Sequence, residues 1–137
     1  MRWRALSIVH PGGSRIASGV KTLEVRRWAP PLIPCRDLLI VENRVFLREE
    51  GQEDPAGLAV AVVDVVAVGP WTRDQFEAAC ATRFEEGYLG WHLTNVRPLA
   101  RPVSAPARRG IYELDLDADP VPSPEPVDGN GPAGGGP

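Results

Sequence analysis

The chain has 137 residues, of which 43% are apolar, and its 15 basic and 18 acidic residues give a formal net charge of −3. This length suits one domain with a hydrophobic core rather than two domains. The two cysteines, Cys35 and Cys80, stand far apart without a CxxC pair or histidines at ligand spacing. This pattern argues against a zinc site and against a disulfide-dense secreted scaffold.

The apolar segments are too short for a membrane span or a secretion signal. The longest apolar run, residues 58–68, contains Asp64 and is shorter than the roughly 20 residues that a membrane-spanning helix needs. The start, MRWRALSIVHPGG, has a short apolar run that stops before a proline, unlike a signal peptide. We expect a cytoplasmic protein with no membrane partner, no metal and no other cofactor.

The first half of the chain predicts a strand, a short helix and two further strands. Residues 6–9 form a β-rich run, and a helix over residues 11–18 begins at a proline, which suits the first turn of a helix. Gly19 fits the left-handed position that closes such a helix. The segment KTLEVRRW (21–28) alternates apolar and polar residues as a strand does, and DLLIVE (37–42) is a buried-strand candidate.

The second half predicts a central strand, a helix and two closing strands. Residues 57–68 are rich in valine and almost continuously apolar, which fits a strand covered on both faces. Thr72 opens a helix through a capping box with Gln75, and residues 88–99 and 109–116 predict two further strands. The apolar positions of the helix recur at helical spacing, so that one stripe packs on the sheet. These positions are Phe76, Ala79, Cys80 and Phe84.

The chain after residue 116 has a different composition. Its sequence, DADPVPSPEPVDGNGPAGGGP, has no aromatic residue and cannot bury enough surface to offset the entropy of ordering it. We predict a domain at residues 1–116 and a disordered, acidic, Pro/Gly-rich tail at residues 117–137. Residues 1–112 hold all 15 basic residues and 12 of the acidic ones, so the domain is mildly basic and suits a phosphate-bearing partner.

The predicted elements follow the order β-α-β-β-β-α-β-β. This order predicts an α+β fold with more strand than helix. A compact, largely antiparallel β-barrel of about six strands, flanked by two helices, is the simplest architecture that buries these apolar faces.

The candidate site lies in Gly-Val-Lys-Thr-Leu-Glu-Val-Arg, residues 19–26. Glu24 and Arg26 point to one face of an extended strand with about 7 Å between their Cα atoms, and Lys21, the only lysine, enters from the turn before it. Arg26 offers a rigid fork for a phosphate or a base edge. Glu24 accepts from an exocyclic amine or moves protons, and Lys21 binds phosphate or acts as a nucleophile or base. The alternative is a row of solvated charged side chains that pair on the surface, a charge ladder, which contributes little to stability.

Two stretches of the chain resemble ASCH domains. The N-terminal part of ASCH domains has a strand ending at a proline, a helix and then G-x-K-T-x-E-x-R. Residues 5–28 resemble it, with the sequence ALSIVHPGGSRIASGVKTLEVRRW. GYLGWHLTNVRPL and RGIYEL resemble their W-x-L-x-N-x-x-P-L pattern and final strand, and the similarity runs from about residue 5 to residue 116. The resemblance implies a PUA-like β-barrel whose cleft, lined by the G-x-K-x-x-E-x-R motif, binds RNA or nucleosides.

The resemblance also implies alternative activities. Some ASCH proteins are amidohydrolases that remove the acetyl group of N4-acetylcytidine with the motif lysine, a threonine and a glutamate. The lysine falls on Lys21, the threonine position is Glu24, and Glu77 lies in the region of the further glutamate. Other relatives are ribonucleases or domains of transcriptional coactivators. The implied partner is RNA or a modified nucleoside, and Lys21 and Glu24 are the candidate catalytic residues of an amidohydrolase acting on a carbon–nitrogen bond.

Two residues outside the motif are further binding candidates. Arg44 extends a phosphate-binding surface or is a solvated loop residue. Trp91 lines the cleft and stacks on a base, or it belongs to the core. His10 and His92 fit structural hydrogen bonds better than catalysis.

Overall fold

The computed structural model describes residues 1–120, so most of the predicted tail lies outside the described residues. The described residues form mostly strand, with one short α-helix and one turn of 3-10 helix. In chain order the elements are β1 (Arg2–Val9), α1 (Gly12–Ala17), β2 (Leu23–Arg26), β3 (Cys35–Asn43), β4 (Glu53–Asp54), β5 (Leu58–Pro70), the 3-10 turn (Arg73–Gln75), β6 (Leu89–Ser104), β7 (Ala107–Arg108) and β8 (Ile111–Asp115).

Six strands form one mixed sheet in the order β2-β6-β5-β3-β1-β8, and β4 pairs with β7 in a separate ribbon. Strands β1 and β3 run parallel, whereas the other neighbours in the large sheet are antiparallel. The chain between β1 and β3 passes through α1 and β2, since parallel strands cannot be joined by a tight turn. The largely antiparallel arrangement agrees with the prediction from sequence.

The sheet is not closed into a barrel, so the predicted closed barrel is wrong. Strand β8 pairs with β1 only from Arg2 to Leu6, and β2 and β8 stay at opposite edges of the sheet. Just past Leu6, the Arg26 side chain of β2 donates from Nη2 to the Ser7 carbonyl of β1 at 2.8 Å. Both edge strands are short, with four and five residues. A side chain rather than a backbone ladder therefore links β2 to β1.

Only one of the two predicted α-helices forms among residues 1–120. Helix α1 confirms the helix predicted at 11–18. After Thr72 the capping box is present, but it starts a single 3-10 turn. The Ala78 carbonyl accepts the backbone N–H groups of Thr22 and Leu23 at 3.0 and 3.2 Å, so this segment pairs with the start of β2 instead of with its own next turn. Cys80 then adopts φ +53°, a left-handed conformation that ends right-handed helix.

The apolar run of β5 is buried on both faces, as predicted for a central strand. Val62 and Val63 point to opposite faces because neighbouring side chains alternate along a strand, and they pack in different core clusters. Ile16 of α1 joins the cluster of Val63. This double-sided core holds α1 against the sheet beside β1, and the candidate site lies next to them.

The described domain continues past residue 116. The backbone N–H of Ala100 donates to the Asp119 carbonyl at 3.4 Å, and Pro120 forms an isolated bridge with Leu99. Ala118 packs on a core cluster. The part of the predicted tail at residues 121–137 lies outside the described residues.

Candidate functional site

A cavity of about 430 Å³ opens beside β2, between the end of β1, the start of α1 and the segment 79–88. Lys21, Glu24 and Arg26 all line this cavity, which we call the Lys21 cavity. The structure therefore brings the three residues of the motif to one concave site. Its volume falls in the range of about 300–1,000 Å³ that is usual for small-molecule sites.

Lys21 is buried in the wall of the Lys21 cavity, with 9% of its surface exposed. Gly19 follows α1 with φ +84°, a conformation that favours glycine, and the chain then turns back so that the backbone N–H of Lys21 donates to the Arg15 carbonyl at 3.0 Å. The Lys21 ammonium donates to the Ala79 carbonyl at 2.6 Å and lies 3.3 Å from Glu24 Oε1. The side chain is thus held in one place by two acceptors.

Glu24 joins the two cations of the motif. Its Oε1 contacts Lys21, and its Oε2 accepts from Arg26 Nε at 2.7 Å. Glu24 is 5% exposed, so the alternative of a solvated charge ladder is wrong. Because both carboxylate oxygens are engaged, the arrangement favours Glu24 as the group that positions Lys21 and Arg26.

Arg26 is oriented from two sides. Besides the bond from Nε to Glu24, Nη2 donates to the Ser7 carbonyl at 2.8 Å, and the guanidinium carbon lies 5.9 Å from the centre of the Trp28 ring. A guanidinium has five N–H donors, so these two bonds leave donors for a ligand. Arg26 therefore presents a preorganised fork of the kind that binds phosphates and base edges.

Cations outnumber carboxylates in the Lys21 cavity. Four basic side chains and two acidic ones line it, and the exposed pair Arg83–Glu85, at 2.9 Å, accounts for one of each. The positive balance attracts anionic ligands such as phosphates. The six residues are Arg15, Lys21, Arg26, Arg83, Glu24 and Glu85.

A histidine–carboxylate pair adjoins the same cavity. Glu42 of β3 is buried and accepts from Ser14 N at 2.7 Å, from Ser14 Oγ at 3.0 Å and from His10 Nδ1 at 2.9 Å. Burial alone would raise the pKa of Glu42, but the hydrogen bonds from His10 and Ser14 outweigh it and hold the pKa below its usual value. His10 lines the Lys21 cavity, and its bond to Glu42 leaves Nε2 as the ring nitrogen for a ligand.

Sequence reasoning missed this pair. The signals were a glutamate at the end of the buried run DLLIVE and two glycines after His10. A Cβ on Gly13 would lie 2.9 Å from Glu42 Cβ, so a glycine is needed where α1 crosses β3. The two residues are 32 positions apart along the chain, and their contact depends on the parallel pairing of β1 with β3.

A family model described as the ASCH domain matches residues 6–103. The match contains the whole G-x-K-T-x-E-x-R segment and the W-x-L-x-N-x-x-P-L segment. This chain belongs to the ASCH domain family. No curated protein matches the chain by sequence.

Solved ASCH structures match the chain at low sequence identity. A serine-to-alanine mutant of ZmASCH from Zymomonas mobilis is 19% identical, with a TM-score of 0.48 over 74% of this chain and 72% of that one. A tyrosine-to-phenylalanine mutant of the same protein is 18% identical, with a TM-score of 0.49 over 74% of each chain.

The two candidates outside the motif, Trp91 and Arg44, do not line the Lys21 cavity of this ASCH domain. Trp91 is fully buried, and its Nε1 donates to the Trp28 carbonyl at 2.9 Å, so the prediction that it stacks on a base is wrong and it belongs to the core. Arg44 is exposed and lies outside the lining of the Lys21 cavity; its backbone N–H donates to Asp54 at 2.7 Å. Glu77 is likewise exposed and outside that lining.

Within residues 1–120, no group of three or more His, Cys, Asp or Glu side chains is placed to hold a metal ion. Over that same stretch no helix has the length and apolar character to cross a membrane.

Proposed function

We propose that this ASCH domain binds RNA or a modified nucleoside in the Lys21 cavity. The observation that carries the proposal is the buried chain of contacts from the Ala79 carbonyl through Lys21 and Glu24 to Arg26. Ion pairs on a surface contribute little and are common, whereas buried charges at a cavity wall are costly and typical of functional sites.

The chemistry of the cavity suits a nucleotide. Arg26, fixed by Glu24 and by the Ser7 carbonyl, meets a phosphate or the edge of a base. The other basic side chains that line the cavity attract the negatively charged phosphates of a nucleic-acid backbone. His10 supplies a ring nitrogen that can exchange a hydrogen bond with a base or a ribose hydroxyl.

Binding of single-stranded RNA tests the proposal. We expect the fluorescence anisotropy of a fluorescein-labelled RNA of eight nucleotides to rise when the wild-type protein is added. The affinity should be lower at higher salt. Arg26→Ala should weaken binding about tenfold or more, because a hydrogen bond to a charged group contributes about 1.5–3 kcal/mol. Arg101→Ala, an exposed arginine of β6 outside the cavity lining, is the matched control. Equal affinities of the two variants would contradict the proposal.

A second candidate function is hydrolysis of an acylated nucleobase, and the His10–Glu42 pair is the observation that favours it. Amide hydrolysis bonds a water oxygen to the acyl carbon and releases the amine after it gains a proton, so it needs a base, an acid and a group that stabilises the oxyanion. In this second proposal His10, oriented by Glu42, moves the proton. The Lys21 ammonium stabilises the oxyanion, whereas Glu24 has both oxygens engaged.

Release of cytidine from N4-acetylcytidine tests this second function. We expect His10→Ala and Lys21→Ala each to abolish release if the domain is an amidohydrolase, while His92→Ala, an exposed histidine of β6, leaves it unchanged. No release by the wild-type protein, together with RNA binding that depends on Arg26, would identify a binding module. Shortening of the RNA during the binding assay would instead identify a ribonuclease.

A further inference from the structure

A second cavity, of about 260 Å³, lies on the other side of Arg26. It shares Arg26 and Val9 with the Lys21 cavity, so one guanidinium stands between the two. Its volume is below the range of about 300–1,000 Å³ for typical small-molecule sites, which suits a single ring system. Asn43 lines it, and we call it the Asn43 cavity.

Asn43 contributes a buried acceptor that has no partner among the described residues. The side chain is 4% exposed, its Nδ2 donates to the Val45 carbonyl at 2.6 Å, and its Oδ1 is buried without a hydrogen bond. Buried polar atoms are nearly always hydrogen-bonded. An N–H or O–H donor from outside residues 1–120 would satisfy the Oδ1 atom. The exocyclic amines and ring N–H groups of bases are such donors.

Two partly exposed aromatic side chains line the same cavity. Trp28 is 37% exposed and Phe46 is 63% exposed. Trp28 is held by the fully buried Trp91, with ring centres 5.0 Å apart at 83°, so its ring has a fixed orientation. Aromatic side chains on an open surface are the usual stacking partners of unpaired bases.

Two arginines besides Arg26, namely Arg108 and Arg109, line the Asn43 cavity. Arg108 pairs with Glu53 at 2.7 Å. Arg109 is exposed, lines the cavity, and pairs with no carboxylate within the described stretch. An arginine with its charge uncompensated beside aromatic side chains is the combination that binds a single strand through its phosphates and bases.

Resting on the proposed function, we infer that the ligand is a single-stranded RNA of at least two nucleotides rather than a free nucleoside. One nucleotide occupies the Lys21 cavity and its neighbour occupies the Asn43 cavity. Asn43 Oδ1 accepts from the base of that neighbour, Phe46 stacks on it, and Arg109 contacts its phosphate. Arg26, between the cavities, contacts the phosphate that links the two nucleotides.

The test compares the RNA of eight nucleotides with cytidine 5′-monophosphate. We expect Phe46→Ala to weaken binding of the RNA about 5- to 150-fold, because stacking on one base is lost. Arg109→Ala should reduce the slope of log affinity against log salt by about 1. Neither variant should alter binding of the monophosphate. Leu32→Ala, also an exposed apolar residue, and Arg101→Ala are the matched controls and should bind RNA as the wild type does.

A direct readout is the side-chain amide signal of Asn43 in ¹⁵N-labelled protein. The chemical shift of this signal should change when the RNA binds and should remain the same when the monophosphate binds. If Arg26→Ala weakens RNA binding but Phe46→Ala and Arg109→Ala bind like their controls, the Asn43 subsite is wrong and the proposed function stands. If the wild-type protein binds neither RNA nor the monophosphate, both are wrong.

Discussion

At the scale of single residues, Glu24 decides the geometry of the site. Among residues 1–120 it is the one carboxylate that contacts both Lys21 and Arg26, and it is 5% exposed to water. A buried ion pair gains little net stability over an apolar core, but removing one partner leaves a buried charge without compensation. The site therefore depends on Glu24 for the positions of its cations.

We predict that Glu24→Gln destabilises the protein by about 3 kcal/mol, because Lys21 and Arg26 then lose their shared counter-charge. Urea unfolding followed by tryptophan fluorescence measures the change. Glu85→Gln, which removes the exposed partner of Arg83, is the control and should cost less than about 1 kcal/mol. Equal losses in the two variants would contradict the role given to Glu24.

Buried carboxylates also predict a loss of stability in acid. Burial alone would raise the pKa of Glu42 and of Asp64. Hydrogen bonds from His10 and Ser14 outweigh burial at Glu42, so its pKa lies below its usual value. At Asp64, hydrogen bonds from the Asp37 backbone N–H and from Asn95, together with nearby arginines, lower the pKa in the same way. The stability that such groups add is complete above the unfolded-state pKa of about 4 and is lost as the pH falls through the folded-state pKa.

We therefore expect the free energy of unfolding to fall below about pH 4. The fall should be shallower in Glu42→Gln than in the wild type, and Glu86→Gln, an exposed glutamate, should follow the wild type. Urea unfolding at a series of pH values gives the slopes, and identical slopes for all three proteins would rule out this contribution of Glu42.

At the scale of elements, the position of α1 on β3 brings His10 to the cavity. Gly13 of α1 lies directly over Glu42 of β3, and Ser14 donates two hydrogen bonds to the same carboxylate. The short helix has few packing contacts of its own, with Gly13 and Ile16 as its buried residues. Its docking therefore depends on close approach at Gly13.

We predict that Gly13→Ala destabilises the protein by about 1–3 kcal/mol, since the added methyl group overpacks the contact with Glu42. Alanine in a helix is otherwise favoured over glycine by up to about 1 kcal/mol, so the sign of the effect tests the contact. Gly69→Ala, where a methyl group meets nothing within 4 Å, is the control. Thermal unfolding of both variants measures the difference, and a stabilised Gly13→Ala would show that α1 is not packed in this way.

At the scale of the whole molecule, both ends of the described domain meet in the sheet. Strand β8 pairs with β1, the Leu116 backbone N–H donates to the Met1 carbonyl at 2.9 Å, and Trp3 Nε1 donates to the Leu116 carbonyl at 3.1 Å. Leu114 shares a core cluster with Trp3. The fold thus needs the chain at least as far as residue 116.

We predict that a chain ending at residue 120 keeps the free energy of unfolding of the full chain to within about 0.5 kcal/mol, because residues 121–137 contain no aromatic residue and no apolar residue larger than valine with which to add to the core. A chain ending at residue 110 should lose cooperative unfolding, since β1 then has an unpaired edge and Trp3 loses its core neighbour Leu114. Calorimetry compares the three chains. A marked loss of stability in the 120-residue chain would contradict the predicted tail.

Whether the sequence predicted an element correctly depends on whether local or long-range interactions form that element. Alternation within residues 21–28 placed Glu24 and Arg26 on one face, and helix α1 and the central strand β5 followed from local pattern. The second helix was wrong because the Ala78 carbonyl pairs with Thr22 and Leu23, more than 50 residues earlier in the chain. The sequence left open whether Trp91 lines the cleft or belongs to the core, because neighbouring side chains in a strand alternate between core and surface.

By itself the sequence determined the family, the strand-rich class and the motif, since each depends on residues close together along the chain. The tertiary structure decided that Lys21 is buried against Ala79, that His10 contacts Glu42, and that Asn43 Oδ1 has no hydrogen-bond partner within residues 1–120. It also decided that the sheet stays open. These features depend on contacts between distant segments, and such contacts form only when the apolar faces of the strands pack into one core.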